Sequence, residues 1–425
     1  MGFSDIRDLP YPWDTLGDIV GLARSHPQGL VDLSIGTPVD PTPDVVRQAL
    51  SAASDAHGYP YTHGTAALRQ AVVAWFARRR QVPALDPAGV LPTVGSKELV
   101  GLLPSLLRLG PDDVVVHPAI AYPTYDLGAR LAGAQVLATD TVAHWAGNPA
   151  MKLVWVNTPS NPTGAVMTVD QLREVVAAAR QIGAVVVSDE CYAELSWTSC
   201  EAGGAGDGCV GAGDGCVAGD GCGIDHIPSL LDPRVTDGDM TGLLVAYSLS
   251  KQSNMAGYRA AFVAGDPALV ADILATRKHL GMIVPGPVQE AMRAALGDHA
   301  HVEAQRAVYA KRRQILLQAL HAAGWQVDHS QAGLYLWVRP ASTADAGVSV
   351  GIEADADADA GAGTVTGAGR PSSREICAQF ARLGILVGPG EFYGQAGNGH
   401  VRIALTAPDA AIEQAAARLT ERLTA

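Results

Sequence analysis

From about residue 45 to residue 290 the chain alternates short β-branched runs with amphipathic stretches, and no other feature restricts its fold so strongly. Neighbouring parallel strands need a crossover of a dozen or more residues, and a helix is the usual way to supply it. One unit is legible in full: MKLVWV (151–156) reads as a buried strand and AVVVS (184–188) as the next. Between them, TVDQLREVVAAARQI opens with a Thr168-x-x-Gln171 capping box, keeps Leu172, Val175, Val176 and Ala179 on one face, and stops at Gly183. The pattern predicts an α/β fold with a mostly parallel sheet flanked by helices. Such sheets bind ligands beyond the C-terminal ends of their strands, so the residues just after each strand become the candidates for function.

At 425 residues and 48% hydrophobic content the chain can bury a large core in two or three structural units. A formal net charge of -13 argues against nucleic acid or an anionic membrane surface as the main partner. The opening MGFSDIRDLP has no apolar stretch of the kind a secretory signal needs, and no run of eighteen apolar residues occurs anywhere. The expectation is a cytoplasmic protein, with no membrane and no nucleic-acid partner. Cys191 and Cys377 sit in apolar surroundings, as in a reducing compartment.

Two stretches break the pattern. Residues 199–225 repeat Gly-Asp-Gly-Cys at 206–209, 213–216 and 219–222, and residues 341–372 alternate Asp355, Asp357 and Asp359 with alanine. Neither has the large apolar residues that would offset the entropy of ordering, so both read as flexible surface inserts. Thiolates and carboxylates are metal ligands, but Cys200, Cys209, Cys216 and Cys222 match neither paired zinc spacing nor a calcium repeat. No metal is therefore assigned.

Four strand ends carry polar groups that a single cofactor would explain. LLVAYSL (243–249) runs into Ser250-Lys251, placing an amine at a strand end. Such a lysine is ordinarily a solvated surface charge, and an imine-forming one needs a lowered pKa. Asp189 follows AVVVS and precedes Tyr192. It reads as a helix cap, a buried acceptor, or the carboxylate that keeps a pyridine nitrogen protonated. Asn157-Thr-Pro-Ser-Asn161-Pro-Thr-Gly164 follows MKLVWV and exceeds what a simple turn needs, since both the Asn161 amide and Tyr192 can donate to a ring phenolate. Gly95-Ser96-Lys97, between VLPTV and an apolar helix, offers backbone N–H groups to a phosphate, with Ser248 and Arg259 completing the cup.

Together NTPSNPTG, SDECY and SLSKQSNMAGYR resemble, in order and spacing, the class I/II aminotransferases of the type I pyridoxal-phosphate fold. The resemblance covers almost the whole chain outside the two inserts. It implies pyridoxal 5'-phosphate as cofactor, Lys251 as the catalytic lysine that anchors it and shuttles the α-proton, and Asp189 as partner of the ring nitrogen. Asn161 and Tyr192 would hold the ring oxygen and Tyr122 would stack on the ring. Ser96, Lys97, Ser248, Ser250 and Arg259 would hold the phosphate. Tyr59, in GYPYTHG, matches a tyrosine reaching the phosphate of the neighbouring subunit, which implies a homodimer with shared sites. Arg402 matches the arginine that clamps the substrate α-carboxylate, and Gly36 the loop that closes over it. The implied reaction is a ping-pong transfer between an amino acid and an oxo acid.

The resemblance also implies a large cofactor-binding domain over 45–292, and a small domain formed by 1–44 with 293–425. At LPYPWDTLGDIVGLARSHPQGLVDLSIGTPVDPTP, AYPTYDLGARLAG and RKHLGMIVPGPVQ the chain is most similar to actinobacterial-type succinyldiaminopimelate transaminases. These act with glutamate and 2-oxoglutarate in lysine and peptidoglycan precursor synthesis. A donor with two carboxylates needs a second cationic contact, for which Arg24, Lys278 and His279 are candidates. The alternatives are a related aminotransferase acting on aspartate, acetylornithine or another amino acid, or a β-lyase on the same fold.

Overall fold

The computed structural model describes residues 12–197, 227–341 and 371–421. The inserts expected at 199–225 and 341–372 therefore lie outside the described residues, except at their edges.

Seven strands form the main sheet: β1 (Val90–Val94), β2 (Val114–His117), β3 (Gln135–Ala138), β4 (Met151–Asn157), β5 (Val185–Asp189), β6 (Leu243–Ser248) and β7 (Ala260–Gly265). Their spatial order is β1-β7-β6-β5-β4-β2-β3, with β7 antiparallel to both neighbours and every other pair parallel. Both faces are covered, so the strands read as continuous apolar runs rather than alternating ones. Along β4, Leu153 and Trp155 enter one apolar cluster with Leu99, Leu103 and Tyr125, while Val154 and Val156 enter another with Phe76, Val186 and Phe262.

The strand, helix, strand unit forms as expected. The helix spans Val169–Ile182, with Thr168 Oγ1 accepting from the Gln171 amide at 3.2 Å and Gln171 Oε1 accepting from the Thr168 amide at 2.9 Å. A cap of this kind is worth about 1 kcal/mol. Gly183 ends the helix at φ 69°, a conformation in which a side chain would be strained.

A second, antiparallel sheet contains β8 (Trp325–Asp328), β9 (Tyr335–Pro340), β10 (Gly388–Pro389) and β11 (Val401–Ala404) in the order β10-β11-β9-β8. It packs with Val31, Leu33, Tyr309, Ile376 and Leu419 into a separate apolar cluster, which Cys191, Tyr192 and Leu195 also join. The site described next lies where the two sheets meet. Among the described residues no helix is long and apolar enough to cross a membrane.

Candidate active site

Because β1, β2, β4, β5 and β6 point the same way, Gly95, His117, Asn157, Asp189 and Ser248 all fall along one edge of the sheet. The reversed strand β7 begins at that edge, which returns Arg259 to it from the opposite direction. The strand ends open onto a cavity of about 770 Å³. Its wall contains Gly36, Ser96, Lys97, Tyr122, Asn161, Asp189, Tyr192, Ser248, Ser250, Lys251, Arg259 and Arg402, so twelve of the thirteen expected site residues converge. The thirteenth, Tyr59, is fully exposed and lies outside the cavity wall.

At the cavity floor Asp189 is 9% exposed. One carboxylate oxygen accepts from the Tyr125 hydroxyl at 2.9 Å and the other from the Cys191 amide at 3.2 Å. Burial pushes this carboxyl above its ordinary pKa, and among the described residues it has no ion-pair partner. The turn that carries it is pinned by Glu190, whose carboxylate meets Arg80 at 2.7 Å, the Leu230 amide at 2.8 Å and the Ser229 hydroxyl at 3.1 Å. Neighbouring Asn157 donates to the carbonyls of Asp189 and Pro159, while its own carbonyl oxygen accepts from the Asn161 amide at 2.7 Å. The turn motif thus fixes Asn161 and Asp189 relative to one another.

Lys251 is half-buried on the short helix Leu249–Gln252, and its Nζ donates to the Gly36 carbonyl at 2.6 Å. Ser248 caps that helix and its Oγ bonds the Ser250 hydroxyl at 2.8 Å. Across the cavity, Gly95 at φ 78° precedes the helix Ser96–Leu106, and a Cβ there would stand 2.0 Å from Arg259 Nη2. Only glycine lets the guanidinium approach this helix N-terminus, so a strong positive potential is concentrated beside Ser96 and Lys97. Lys97 Nζ lies 5.6 Å from the centre of the Tyr122 ring.

Arg402 enters from β11 and is 3% exposed. Nη1 donates to Asn161 Oδ1 at 3.1 Å and Nη2 to the Ser34 carbonyl at 2.6 Å. Its Nε is buried with no acceptor among the described residues. The guanidinium carbon lies 4.0 Å from the Tyr335 ring centre, 5.0 Å from that of Tyr393 and 5.9 Å from that of Trp13. An arginine offers five donors, and two are used here, so the remaining fork is free to receive an anion.

The geometry suits a phosphorylated pyridine aldehyde. The amine of Lys251 faces the cavity, the buried carboxylate of Asp189 has no ion-pair partner among the described residues, and a glycine-opened cradle gathers Arg259, two serines and a helix N-terminus. Arg402 is a further cationic group in the same wall, with Nε lacking an acceptor among the described residues.

Arg24, Lys278 and His279, the candidates for a distal contact, are exposed and do not line the cavity of this chain. Lys97 does line it, with its Nζ beside the Tyr122 ring. Two residues of the site are not marked by the sequence motifs: Tyr125, which holds Asp189, and Tyr335, which underlies Arg402. Tyr125 sits in AYPTY beside Tyr122, whereas Tyr335, in GLYLWV, carries no local signal beyond that of a strand.

Comparison with known proteins agrees with this geometry. The family profile for aminotransferase class I and II matches residues 28–419. A probable aminotransferase of Mycobacterium tuberculosis is 49% identical over 411 residues, covering 96% of this chain and 85% of its own length. The 4-dedimethylamino-4-oxo-anhydrotetracycline transaminase of Streptomyces rimosus is 47% identical, covering 98% of this chain and 100% of its own. An LL-diaminopimelate aminotransferase of Gloeobacter violaceus is 30% identical, with 92% and 90% covered. Among solved structures, an aminotransferase from Neisseria meningitidis superposes with a TM-score of 0.77 at 26% identity, covering 99% of this chain and 100% of that one.

Proposed function

The chain belongs to the class I and II aminotransferases, which are pyridoxal-phosphate-dependent, and from that premise we propose that it moves an amino group between N-succinyl-LL-2,6-diaminopimelate and 2-oxoglutarate. Glutamate is the other amino partner, and the setting is lysine and peptidoglycan precursor synthesis in the cytoplasm. The observation that carries this reading is where the subgroup-like segments fall. LPYPWDTL brings Pro12 and Trp13 into the cavity wall, and AYPTYDLGARLAG brings Tyr122, Pro123, Thr124, Tyr125, Asp126 and Leu127. The 30% identity to an LL-diaminopimelate aminotransferase supports the same substrate class.

Each residue has a part in this proposal. Lys251 Nζ would hold the cofactor at its aldehyde carbon and, when free, would take and return the proton at the substrate Cα. Asp189 keeps the proton on the ring nitrogen. When bound, the cofactor's ring takes up the electrons left by the departing α-proton. Asn161 and Tyr192 would hold the ring oxygen, Tyr122 would stack against the ring, and the backbone N–H groups of Ser96 and Lys97, with Ser248, Ser250 and Arg259, would hold the phosphate. Arg402 takes the α-carboxylate under the loop at Gly36, which turns the Cα–H bond toward Lys251. The Lys97 ammonium meets the donor's distal carboxylate. Tyr59 and Tyr61, 100% and 76% exposed, pack against a second copy, where Tyr59 reaches that subunit's phosphate.

A second reading has its own support. The wall is rich in aromatic rings, with Trp13, Tyr122, Tyr125, Tyr192 and Tyr335, and the 47% identical relative is named for a polycyclic ketone. Spectra of the holoenzyme mixed separately with glutamate and with N-succinyl-diaminopimelate test the first reading. Both amines should convert the cofactor to its amine form. Failure of the succinylated amine, together with reoxidation of the amine form by the tetracycline ketone, would overturn it in favour of the second.

A further inference from the structure

Tyr335 stands between two parts of the site. On β9 it pairs with Ala404, which puts it diagonally across from Arg402 on the same face of the sheet. The Arg402 guanidinium lies on its ring at 4.0 Å, and its hydroxyl stands 3.4 Å from that of Tyr192. The two rings are 5.8 Å apart and inclined at 70°, both buried. The place is reserved by Gly36, where a Cβ would come within 2.0 Å of the Tyr335 oxygen. A phenol so enclosed, with a second phenol as its hydrogen-bond partner, is a specific arrangement rather than packing alone.

We propose that Tyr335 is a positioning residue for the cofactor: it donates to the Tyr192 oxygen, and this strengthens the hydrogen bond that Tyr192 gives to the cofactor's ring oxygen. The inference rests on the placement of Tyr192 against that oxygen proposed above. The direction of donation follows from the single hydrogen each phenol carries: with its own hydrogen given to the cofactor's ring oxygen, Tyr192 can only accept from Tyr335 across the 3.4 Å between their hydroxyls. The Arg402 guanidinium on the Tyr335 ring favours the same direction, because a cation beside a phenol makes it a better donor. A hydroxyl that accepts one hydrogen bond becomes a better donor of the next.

Stronger donation to the ring oxygen stabilises its negative charge. It thereby weakens the hold on the proton at the nitrogen that joins Lys251 to the cofactor. The pH midpoint of the cofactor's visible absorbance change in substrate-free holoenzyme reports that proton. Tyr335→Phe keeps the ring beneath Arg402 and removes only the hydroxyl. It should raise the midpoint by about 0.3 to 1 pH unit, the span set by one neutral hydrogen bond acting through another. Tyr192→Phe should raise it further, and the double variant should match Tyr192→Phe alone, because the relay has then already lost its second member. An unchanged or lowered midpoint in Tyr335→Phe, with a raised one in Tyr192→Phe, overturns the relay and leaves the placement of Tyr192 standing. An unchanged midpoint in Tyr192→Phe overturns both. Additive shifts in the double variant overturn the relay as well.

Discussion

Replacing Arg402 by lysine tests whether the fork, rather than the charge, holds the substrate. Arg402 already spends one donor on Asn161 and one on the Ser34 carbonyl, and still has Nε, without an acceptor among the described residues, and one further hydrogen on each Nη. A lysine ammonium can keep the charge, yet it cannot hold both anchors and also give a carboxylate two parallel hydrogen bonds. The loss is one charge-assisted hydrogen bond, roughly 1.5 to 3 kcal/mol. That corresponds to a fall in kcat/KM of roughly 10- to 150-fold. The assay is steady-state transamination of the amino acid beside that of the matching amine lacking the α-carboxylate. The amine should be slow with both enzymes and lose little more than twofold on substitution. If the amino acid also loses less than about twofold, or if the amine loses as much as the amino acid, Arg402 does not clamp the carboxylate and the assignment fails.

Three further outcomes are expected. Gly95→Ala places a Cβ against the Arg259 guanidinium at a positive φ, so it should weaken cofactor binding, read as a raised Kd for pyridoxal phosphate, with little change in the rate of enzyme that is saturated. Asp189 is a carboxyl whose pKa is raised by burial, so its stabilising contribution is present below the unfolded value of 3.8 and is lost as pH rises through the folded value. Cofactor-free Asp189→Asn should therefore gain thermal stability over cofactor-free wild type as pH rises from the unfolded value of 3.8 until the folded carboxyl is ionised, and the holoenzyme variant should lose transaminase activity; a difference in Tm that stays constant from pH 3.8 upward would refute this. Arg80→Met strands the Glu190 carboxylate, which is 0% exposed, and should cost roughly 3 to 5 kcal/mol in urea unfolding, with Arg80→Met/Glu190→Leu recovering part of it.

The sequence by itself determined the large sheet and most of the site. Apolar runs such as MKLVWV and LLVAYSL must be buried on both faces, the Thr168 box and Gly183 mark a helix at both ends, and Asn161, Asp189 and Lys251 follow strand ends directly. These signals are local, written within a few residues of one another. The tertiary structure decided what depends on distant segments meeting. It reversed β7, so that Arg259 arrives at the same edge as Gly95. It set Tyr125 under Asp189 across 64 positions and brought Arg402 to Asn161 across 241. It left Arg24, Lys278 and His279 exposed outside this chain's cavity and brought Lys97 Nζ to 5.6 Å from the Tyr122 ring centre. Tyr335 shows the reason most clearly: in the sequence it is one more aromatic residue of a buried strand, and it becomes part of the site only because the second sheet lays that strand beside β11, with Arg402 on its ring and Tyr192 at its hydroxyl.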